Sequence, residues 1–544
     1  MKSIPILSTI ALLVVACTSP NPAPQLRVLS LASSGNSIVT LYGTALNPTQ
    51  VSIGNSNAKV LAIEGSGSSV RVELPSLLAP GDYTVRLSNA DAQTATGNLS
   101  VLASGDEIPV GEESLESSRN KFLLKGQATL AFKPSADQTR IKALIEAAGF
   151  RVDGFDPAQL PGGTGICAQT MAQLKDGDTT RSTVDGLNAL MAQLEQLEPG
   201  VVFALNAKSV GNAPSFHSQV INQVSNTQPA QKMSQRSSLK PQAFSANIAE
   251  ARIAVLDSGV SDHKLFTLSP GKNVIDFAAA RNFSGEGRPN DVSDLATERT
   301  ATGTTISSIR VGHGTAVAGL IVSTLQSQVA SFANDAEKLL LPIKICDAFG
   351  RCKSSSVTLG ICYAISQAKI KTINLSVGGA MPSSLVRSAL EEAAQRGISV
   401  VTSSGNQGEN PAKPANYPAF YGINLAGQHT AIPGLIAVGS VLDTAAGIVG
   451  SGFSSQGPWV DISAFGENQN APSAFDNAAT GKFTGTSFSA PQVAALAALL
   501  HAQNPSSTVS EIKQKIIANA RVFPGCPANK CGIGLIDIGK SLAP

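Results

Sequence analysis

The sequence has few charged and few aromatic side chains: 14% of its 544 residues are Asp, Glu, Lys or Arg, and 5% are Phe, Trp or Tyr. So low a charge content excludes a disordered acidic chain and a coiled coil. The formal net charge of +2 is too close to neutral to favour nucleic acid or an anionic membrane surface as a partner. Glycine, in contrast, is abundant at 49 residues, which favours an α/β or all-β protein with many tight turns. At ~100–200 residues per domain, the chain has room for roughly three domains.

Long apolar runs are also lacking, apart from one at the N-terminus, MKSIPILSTIALLVVAC. Its apolar part is shorter than the ~20 residues of a transmembrane helix, so with Lys2 it indicates a signal peptide over residues 1–16. The end of the run, VVAC, resembles a bacterial lipobox, which implies that Cys17 is lipidated. Thr18 then implies the outer membrane, by the rule for Gram-negative lipoproteins. An ordinary signal peptide with an incidental cysteine is the alternative.

Cysteine is scarce, with seven residues in all, of which six remain when Cys17 is set aside. Export implies an oxidising compartment, where Cys346 with Cys352, and Cys526 with Cys531, each close a short loop and are predicted disulfides. Zinc binding is the alternative, but no histidine lies near either pair and neither pair has CxxC spacing.

The segment after the signal peptide divides into a tether and a small β domain. Residues 17–25 indicate a lipidated tether, and residues 26–104 contain short alternating runs separated by Gly, Asn, Pro and Ser turns. That pattern predicts an antiparallel sandwich. YGTALN and LPSLLAPGDYTVRL, at their spacing, resemble an IPT/TIG immunoglobulin-like module. Such modules space or bind, and no catalytic chemistry is evident in this one.

A small α+β domain is predicted for residues 119–208, after a polar linker. Residues 121–132 read as a strand, residues 138–148 and 184–197 as helices, and a further strand closes the domain. Residues 209–248 are rich in Ser, Gln, Asn and Pro and have no periodicity, so they predict a linker.

The remaining residues, 249–544, alternate between apolar strand patterns such as LLLPIKIC, KTINLSV and ISVVTSSGN and helical patterns. This alternation predicts an α/β domain, a mostly parallel sheet with helices on both faces. Functional sites in such sheets form at the carboxyl ends of the strands. Cys362 lies in this domain and Cys167 in the preceding one. Because a bridge would tie the two domains together, both are predicted to be free thiols.

Four polar residues of this domain stand at predicted strand ends or helix starts: Asp257 in LDSGV, His313 in GHGTAVAG, Asn406 in SSGNQG and Ser487 in GTSFSAP. Each motif alone has an ordinary explanation, such as a turn aspartate or a helix-capping serine. Together, in this order, they resemble the subtilases, the subtilisin-type serine peptidases. The resemblance covers nearly all of residues 249–540.

The resemblance implies a role for each of these residues. Ser487 would be the nucleophile, His313 the general base, and Asp257 the carboxylate that orients and stabilises the imidazole. Asn406 would donate to the developing oxyanion, together with the Ser487 backbone N–H. No cofactor is required for this chemistry.

The resemblance also implies the position of the substrate. The walls of the pocket for the side chain before the scissile bond would be formed by Ser376, Val377, Gly378 and Gly379 and by Ser403, Ser404 and Gly405. A peptide would pair with them as an added strand. These segments carry no charge, so an apolar or broad preference is expected.

Two departures from the family pattern stand out. Phe488 replaces a frequent Met, with little effect expected. The polar stretch at residues 281–305 is longer than in compact members, so it either shapes the cleft or binds structural calcium, and its acidic residues favour calcium.

By position and by its plan of strands and helices, the domain at 119–208 resembles a subtilase propeptide, which assists folding and occupies the cleft. The maturation cut would fall between about 206 and 248. Because the lipid, the sandwich and the propeptide-like domain all precede that linker, a cut there is expected to release the catalytic domain from the cell envelope.

The leading prediction is an exported serine endopeptidase, made as a precursor, that hydrolyses peptide bonds of proteins or peptides. One alternative is a surface-binding lipoprotein with a relic subtilase domain, against which the intact set of four residues argues. A second alternative is a transpeptidase on the same scaffold.

Overall fold

A computed structural model describes part of the chain, with gaps. The described residues are 24–26, 30–33, 38–64, 69–74, 81–102, 123–156, 165–176, 190, 193–194, 197, 202–211, 247–285, 287–294, 298–299, 305–306, 312–347, 350–379, 382–408, 416–424, 430–474, 476–525 and 531–543. The predicted signal peptide, Cys17, the polar linker at 105–118 and Cys526 therefore lie outside the described residues, as does most of the predicted helix 184–197 and of the linker 209–248. In the part that is described, no helix is both long and apolar enough to cross a membrane.

The N-terminal unit is an antiparallel β domain, as the alternating pattern predicts. Its described strands are β1 (Gln25–Leu26), β2 (Ser30–Ser33), β3 (Ile38–Thr44), β4 (Pro48–Ile53), β5 (Ser56–Glu64), β6 (Ser69–Glu73), β7 (Gly81–Asn89) and β8 (Thr94–Leu102). They pair in the order β1-β3-β6-β5-β4-β7-β8-β2, and only β2 runs parallel to its neighbour. In β6, Val70 and Val72 are fully buried whereas Arg71 between them is exposed, the period of two of a half-buried strand.

The second unit is a small α+β domain. Its elements are β9 (Leu123–Phe132), α1 (Gln138–Ala147), β10 (Phe150–Asp156), a 3₁₀ turn (Ile166–Ala168), β11 (Thr170–Asp176) and β12 (Val202–Gly211). The strands are antiparallel in the order β10-β11-β9-β12. Helix α1 is capped by Asp137, whose carboxylate accepts from the Arg140 N–H at 3.0 Å. It buries Ile141 and Ile145, four residues apart, against the sheet.

The third unit is an α/β domain. Its strands are β13 (Arg252–Asp257), β14 (Thr267–Ser269), β15 (Lys272–Asn273), β16 (Arg281–Asn282), β17 (Glu298–Arg299), β18 (Thr305–Ile306), β19 (Leu340–Lys344), β20 (Arg351–Lys353), β21 (Ile370–Leu375), β22 (Val377–Gly378), β23 (Ser399–Ser403), β24 (Leu435–Thr444), β25 (Gly447–Gly450), β26 (Ile462–Phe465), β27 (Gln469–Pro472) and β28 (Thr480–Phe483). Its helices are α2 (His313–Gln328), α3 (Phe332–Asp335), α4 (Ser354–Ser366), α5 (Ser384–Gln395), α6 (Ala490–Gln503), α7 (Val509–Ala518) and α8 (Ile538–Leu542).

The central sheet of this domain has the order β16-β19-β13-β21-β23-β24-β25, with β26 also on β24, and only β25 is antiparallel. Strand β13 shows how both faces are covered. Ile253 and Val255 belong to the apolar cluster that contains α2 and α6, whereas Ala254 and Leu256 belong to the cluster that contains α4 and α5. The predicted parallel sheet with helices on both faces is therefore confirmed.

The boundary predicted at residue 209 is wrong, because β12 runs on to Gly211 and pairs with the third unit. Lys208, Ser209 and Val210 lie opposite β20, and Val210 and Gly211 lie opposite β22, both antiparallel. The strand extends beyond its own domain because β20 and β22 of the neighbouring domain supply its backbone hydrogen-bond partners. The polar sequence at residue 209 contains no pattern that indicates this pairing.

The prediction that Cys167 and Cys362 are free thiols is also wrong. The two cysteines form a disulfide that joins the second unit to the third, across 195 residues of chain. The predicted disulfide between Cys346 and Cys352 is present. Cys531 is disulfide-bonded as well, while its expected partner lies outside the described residues.

Candidate active site

Two of the predicted catalytic residues, Asp257 and His313, are in direct contact at the end of the sheet. Asp257 is the last residue of β13 and His313 is the first of α2, and both are buried. His313 Nδ1 lies 2.7 Å from Asp257 Oδ1. Gly314 permits this approach, because a Cβ there would overlap the Gly259 carbonyl oxygen and press on the Asp257 side chain. Since a carboxylate only accepts, this bond places the imidazole proton on Nδ1.

The surroundings of His313 change its basicity. Burial by itself lowers the pKa of the imidazole, but the charge of Asp257, the hydrogen bond to it and the charge of Asp294 raise that pKa above the ordinary 6.5. A raised pKa makes the ring a stronger proton acceptor, which is what a general base requires.

A second buried carboxylate, Asp294, lies behind this pair. Its Oδ1 accepts from Ser258 Oγ at 2.7 Å, and its Oδ2 accepts from both the backbone N–H and the hydroxyl of Thr315 at 2.8 Å. The buried Lys344 donates to the Ser258 carbonyl oxygen at 2.5 Å. Burial raises the pKa of Asp294 to about 6, although the bonds from Ser258 and Thr315 and the charge of Lys344 oppose the rise. The network thus holds in place Ser258, which follows Asp257, and Thr315, which lies two residues after His313.

Sequence reasoning missed the role of Asp294, which lies in the polar stretch considered for calcium. Its carboxylate oxygens are occupied by Ser258 and Thr315. The available signal was an Asp 19 residues before His313, separated from it by a polar insertion. Within the described residues no group of three or more His, Cys, Asp or Glu could hold a metal ion. Parts of residues 286–311 lie outside that description, so calcium binding stays a prediction.

Asn406 follows β23 and turns its amide group in a defined direction. Its Oδ1 accepts from the Thr486 backbone N–H at 3.0 Å and from the Thr486 hydroxyl at 2.9 Å. Nδ2 is buried and, among the described residues, has no hydrogen-bond partner. A buried donor without an acceptor costs about 1–3 kcal/mol, so this N–H group is suited to a ligand that brings an oxygen.

Ser487 lies in the short 3₁₀ turn before α6. Gly485, with φ of 151°, begins that turn in a conformation that favours glycine. The Ser487 hydroxyl donates to the Ser376 carbonyl oxygen at 3.1 Å, and the Ser376 hydroxyl donates to the Ser487 carbonyl oxygen at 2.9 Å. The ring of Phe488 is 5.1 Å from the His313 ring, centroid to centroid. The turn that carries Ser487 therefore packs against the imidazole.

Of the seven residues predicted to form the substrate walls, Gly379 is half-buried and the other six are buried, and both segments contact the turn that carries Ser487. Val377 and Gly378 form β22, and the next residue, Gly379, exchanges backbone hydrogen bonds of 2.8 and 2.9 Å with Tyr417. On the other wall, the Gly405 N–H donates to the hydroxyl of Thr486 at 3.3 Å. The two remaining residues of that wall, Ser403 and Ser404, are fully buried.

Sequence reasoning did not single out strand β20 (Arg351–Lys353). It pairs with β12 on the edge opposite β22, and Cys352 within it is bonded to Cys346. The Arg351 guanidinium pairs with Asp347 at 2.5 Å. An extended segment is thus already seated between β20 and β22, and it comes from this chain.

Comparison with known proteins agrees with this architecture. The subtilase family model matches residues 249–534, more than half of the chain, and the IPT/TIG domain model matches residues 26–102. The chain therefore belongs to the subtilase family. Its β-rich N-terminal unit is similar to IPT/TIG domains.

Individual relatives are proteases. The thermostable alkaline protease of Halalkalibacterium halodurans is 31% identical over 292 residues, which are 54% of this chain and 67% of that protein. Subtilisin BL of Lederbergia lenta is 30% identical over 287 residues, 53% of this chain and 88% of that protein. The crystal structure of fervidolysin from Fervidobacterium pennivorans, a keratinolytic enzyme related to subtilisin, shares the fold with a TM-score of 0.53 at 19% identity. That match covers 78% of this chain and 62% of fervidolysin, so the chain spans less than two thirds of its length.

Proposed function

We propose that the protein is a serine endopeptidase that cleaves protein or peptide substrates through an acyl-enzyme on Ser487. The observation that carries the proposal is the bond of 2.7 Å between Asp257 and His313 Nδ1, beside the turn that holds Ser487. With Nδ1 protonated and bonded, the Nε2 atom of the ring is the one that can take a proton.

The reaction begins when the Ser487 hydroxyl attacks the carbonyl carbon of the scissile peptide bond. Its proton passes to His313 Nε2, and the imidazolium that forms is stabilised by the Asp257 carboxylate. Collapse of the tetrahedral intermediate breaks the C–N bond, and His313 gives the proton to the leaving amine. Water, activated by the same imidazole, then hydrolyses the ester.

Asn406 stabilises the intermediate. Its Nδ2 group, oriented by the bonds that Oδ1 accepts from Thr486, donates to the negative oxygen together with the Ser487 backbone N–H. Because the donor is buried and held in place, it reorganises little when charge develops, which is the source of its catalytic effect.

A substrate binds as an extended strand between β20 and β22, in the place that β12 takes in the precursor. Backbone pairing supplies much of the affinity, and the uncharged walls at residues 376–379 and 403–405 favour an apolar or broad choice of side chain. Residues 119–208 act as the propeptide, and the protein is exported, with Cys17 lipidated. No cofactor takes part in the chemistry.

Active-site labelling of the full chain tests this function. A fluorescent serine-directed phosphonate or sulfonyl fluoride is expected to label the wild-type protein and to abolish its peptidase activity. Ser487→Ala is expected to lose labelling and to lower kcat by about 10⁶-fold, the magnitude known from subtilisin. Ser489→Ala, two residues on, is the matched control and is expected to keep the label.

Two kinds of result would contradict the proposal and favour one of the alternative functions. Labelling that persists in Ser487→Ala, or wild-type protein that neither labels nor cleaves casein, would favour the relic binding lipoprotein. Transfer of the acyl group to an added amine in preference to water would favour the transpeptidase.

A further inference from the structure

The disulfide between Cys167 and Cys362 joins two domains that a maturation cut is expected to separate. Cys167 lies in the 3₁₀ turn of the propeptide-like domain, and Cys362 lies in α4 of the peptidase domain. Both are buried, at 1% and 0% exposure. The bond therefore lies inside the interface, and it bridges the chain on both sides of the linker.

The surface around this bond is built as a permanent contact. Ala131, Ile166 and Met171 of the propeptide-like domain belong to the same buried apolar cluster as α4 and α5 of the peptidase domain. An apolar core shared by two units resembles a domain interior more than a transient contact. Release would return this surface to water.

A buried carboxylate completes the contact. Glu392 on α5 is 5% exposed, and its Oε2 accepts from the Cys167 backbone N–H at 3.1 Å. Gly165 lies so close that a Cβ there would overlap the Glu392 carboxylate. Glu392 also has Arg396 Nη2 at 3.7 Å as its cationic neighbour. The 3₁₀ turn is thus fitted to this one position on α5.

We propose that the propeptide-like domain is a covalently retained partner of the peptidase domain, docked on the face formed by α4 and α5. The inference rests on the proposed function for the cut itself. Any single cut between residues 167 and 362 leaves the fragments joined through the disulfide. A cut in the linker alone therefore does not release the peptidase domain, contrary to the expectation from the order of the domains. The processed protein is a two-chain molecule that keeps its N-terminal fragment.

Two kinds of event could release a part of this two-chain molecule, the first only the sandwich and the second the whole N-terminal fragment. A second cut between the sandwich and residue 123 would remove the sandwich and leave the propeptide-like domain attached. Alternatively, an external dithiol could reduce the bond by thiol–disulfide exchange: the dithiol loses two electrons and becomes a disulfide, and Cys167 and Cys362 each leave as a thiol. After reduction the domain is held by the apolar contact, by Glu392 and by the pairing of β12.

Covalent retention can be tested without any peptidase activity. In full-length Ser487→Ala protein, a recognition site for a site-specific protease is inserted within residues 212–246, and the chain is cut there after thiols are alkylated. Denaturing electrophoresis is expected to show one species without reductant and two with it. Adding Cys167→Ala and Cys362→Ala is expected to give two species in both lanes, whereas adding Cys346→Ala and Cys352→Ala, the matched control, leaves the fragments joined.

If the cut Ser487→Ala protein, with all its cysteines present, separates into two fragments without reductant, the proposal is overturned. This protein is the parent of the cysteine variants. If the Cys167→Ala, Cys362→Ala variant does not fold, non-reducing peptide mapping of the parent decides the matter. A linked peptide containing both cysteines supports retention, and recovery of both as alkylated peptides refutes it. Because Ser487 is absent, these results do not depend on whether the chain is a peptidase.

The consequence for activity is measured with Ser487 present. A tethered inhibitor has an effective concentration that dilution does not change, whereas a free one dissociates. After self-cleavage, the specific activity of the Cys167→Ala, Cys362→Ala protein is expected to rise several-fold on hundredfold dilution, and that of the wild type to stay constant. An equal rise in both would contradict retention. A chain that does not cut itself at all would count against the proposed function and leave the electrophoresis result standing.

Discussion

Two regions of the peptidase domain each contain a buried carboxylate: the catalytic region, with Asp294 behind the Asp257–His313 pair, and the docking region on α4 and α5, with Glu392. The two regions differ in which domain supplies the hydrogen-bond donors to that carboxylate. Asp294, behind the Asp257–His313 pair, is bonded by Ser258 and Thr315 of its own domain. Glu392 is bonded by Cys167 of the propeptide-like domain. The catalytic region is therefore complete within the peptidase domain, whereas the docking region is complete only with its partner in place. Substitutions in the catalytic region should therefore change activity or stability without weakening the hold on the N-terminal fragment, and substitutions in the docking region should do the reverse.

Of the three substitutions that compare the two regions, Asn406→Ala is expected to have the largest effect, and it alters the catalytic region alone. Loss of the Nδ2 donor should lower kcat by about 10²–10³-fold, or about 2.7–4 kcal/mol, with little change in KM; the magnitude is that known from subtilisin. Steady-state kinetics on a peptide substrate measure it. Gln407→Ala, the neighbouring residue, is the control and should lose far less. A rise in KM with kcat unchanged would show that Asn406 holds substrate instead of the developing oxyanion.

The catalytic region could be predicted from sequence because each residue lies in a short motif at a strand end or helix start. Asp257, His313, Asn406 and Ser487 are flanked by glycines or small residues that allow close backbone approach. The alternation of apolar strands and helices predicts a parallel sheet, and such a sheet brings strand ends to one edge. These patterns place the residues, and the resemblance of the four motifs, in their order, to the subtilases implies the role of each.

The docking region could not be predicted in this way. Cys167 and Cys362 are 195 residues apart, and each lies in a segment whose pattern is ordinary for a buried residue. Their pairing depends on how two domains meet, and the apolar side chains of that contact, such as Ile166 and Met171, show no periodicity that marks them as an interface. Asp294 was missed for a related reason, since its partners lie far from it in the chain.

The second prediction tests whether ionisation of the buried Asp294 carboxylate lowers the free energy of unfolding. Its pKa is raised by burial from 3.8 to about 6, so between pH ~4 and ~6 the folded protein holds a proton that the unfolded chain has lost. The contribution of Asp294 to stability therefore falls as the pH rises through this interval, by about 3 kcal/mol in all, and is constant above it. Asp294→Asn cannot titrate and should remove this dependence.

The measurement is the thermal midpoint of the peptidase domain against pH, in the Ser487→Ala background to prevent self-digestion. The difference between the Asp294 protein and Asp294→Asn should decrease from pH 4 to 6. Subtracting the variant cancels the other carboxylates, and Asp291→Asn, an exposed neighbour in the same stretch, is the control. A difference that is flat across this interval would mean that Asp294 titrates below it.

The smallest effect is expected from Glu392→Gln, which alters the docking region alone. The amide can still accept from the Cys167 N–H but lacks the charge that strengthens the bond and that faces Arg396, so a loss of about 1 kcal/mol is expected. In the Cys167→Ala, Cys362→Ala background, after the linker is cut, this corresponds to roughly a fivefold weaker hold on the N-terminal fragment, measurable by sedimentation or calorimetry. Glu391→Gln, whose carboxylate pairs with Arg387 at 2.7 Å, is the matched control on the same helix and should not weaken the hold. Equal weakening by both variants would mean that the net charge of α5, and not the bond to the 3₁₀ turn, guides docking, and the contrast between the two regions would then reduce to the disulfide and the apolar contact.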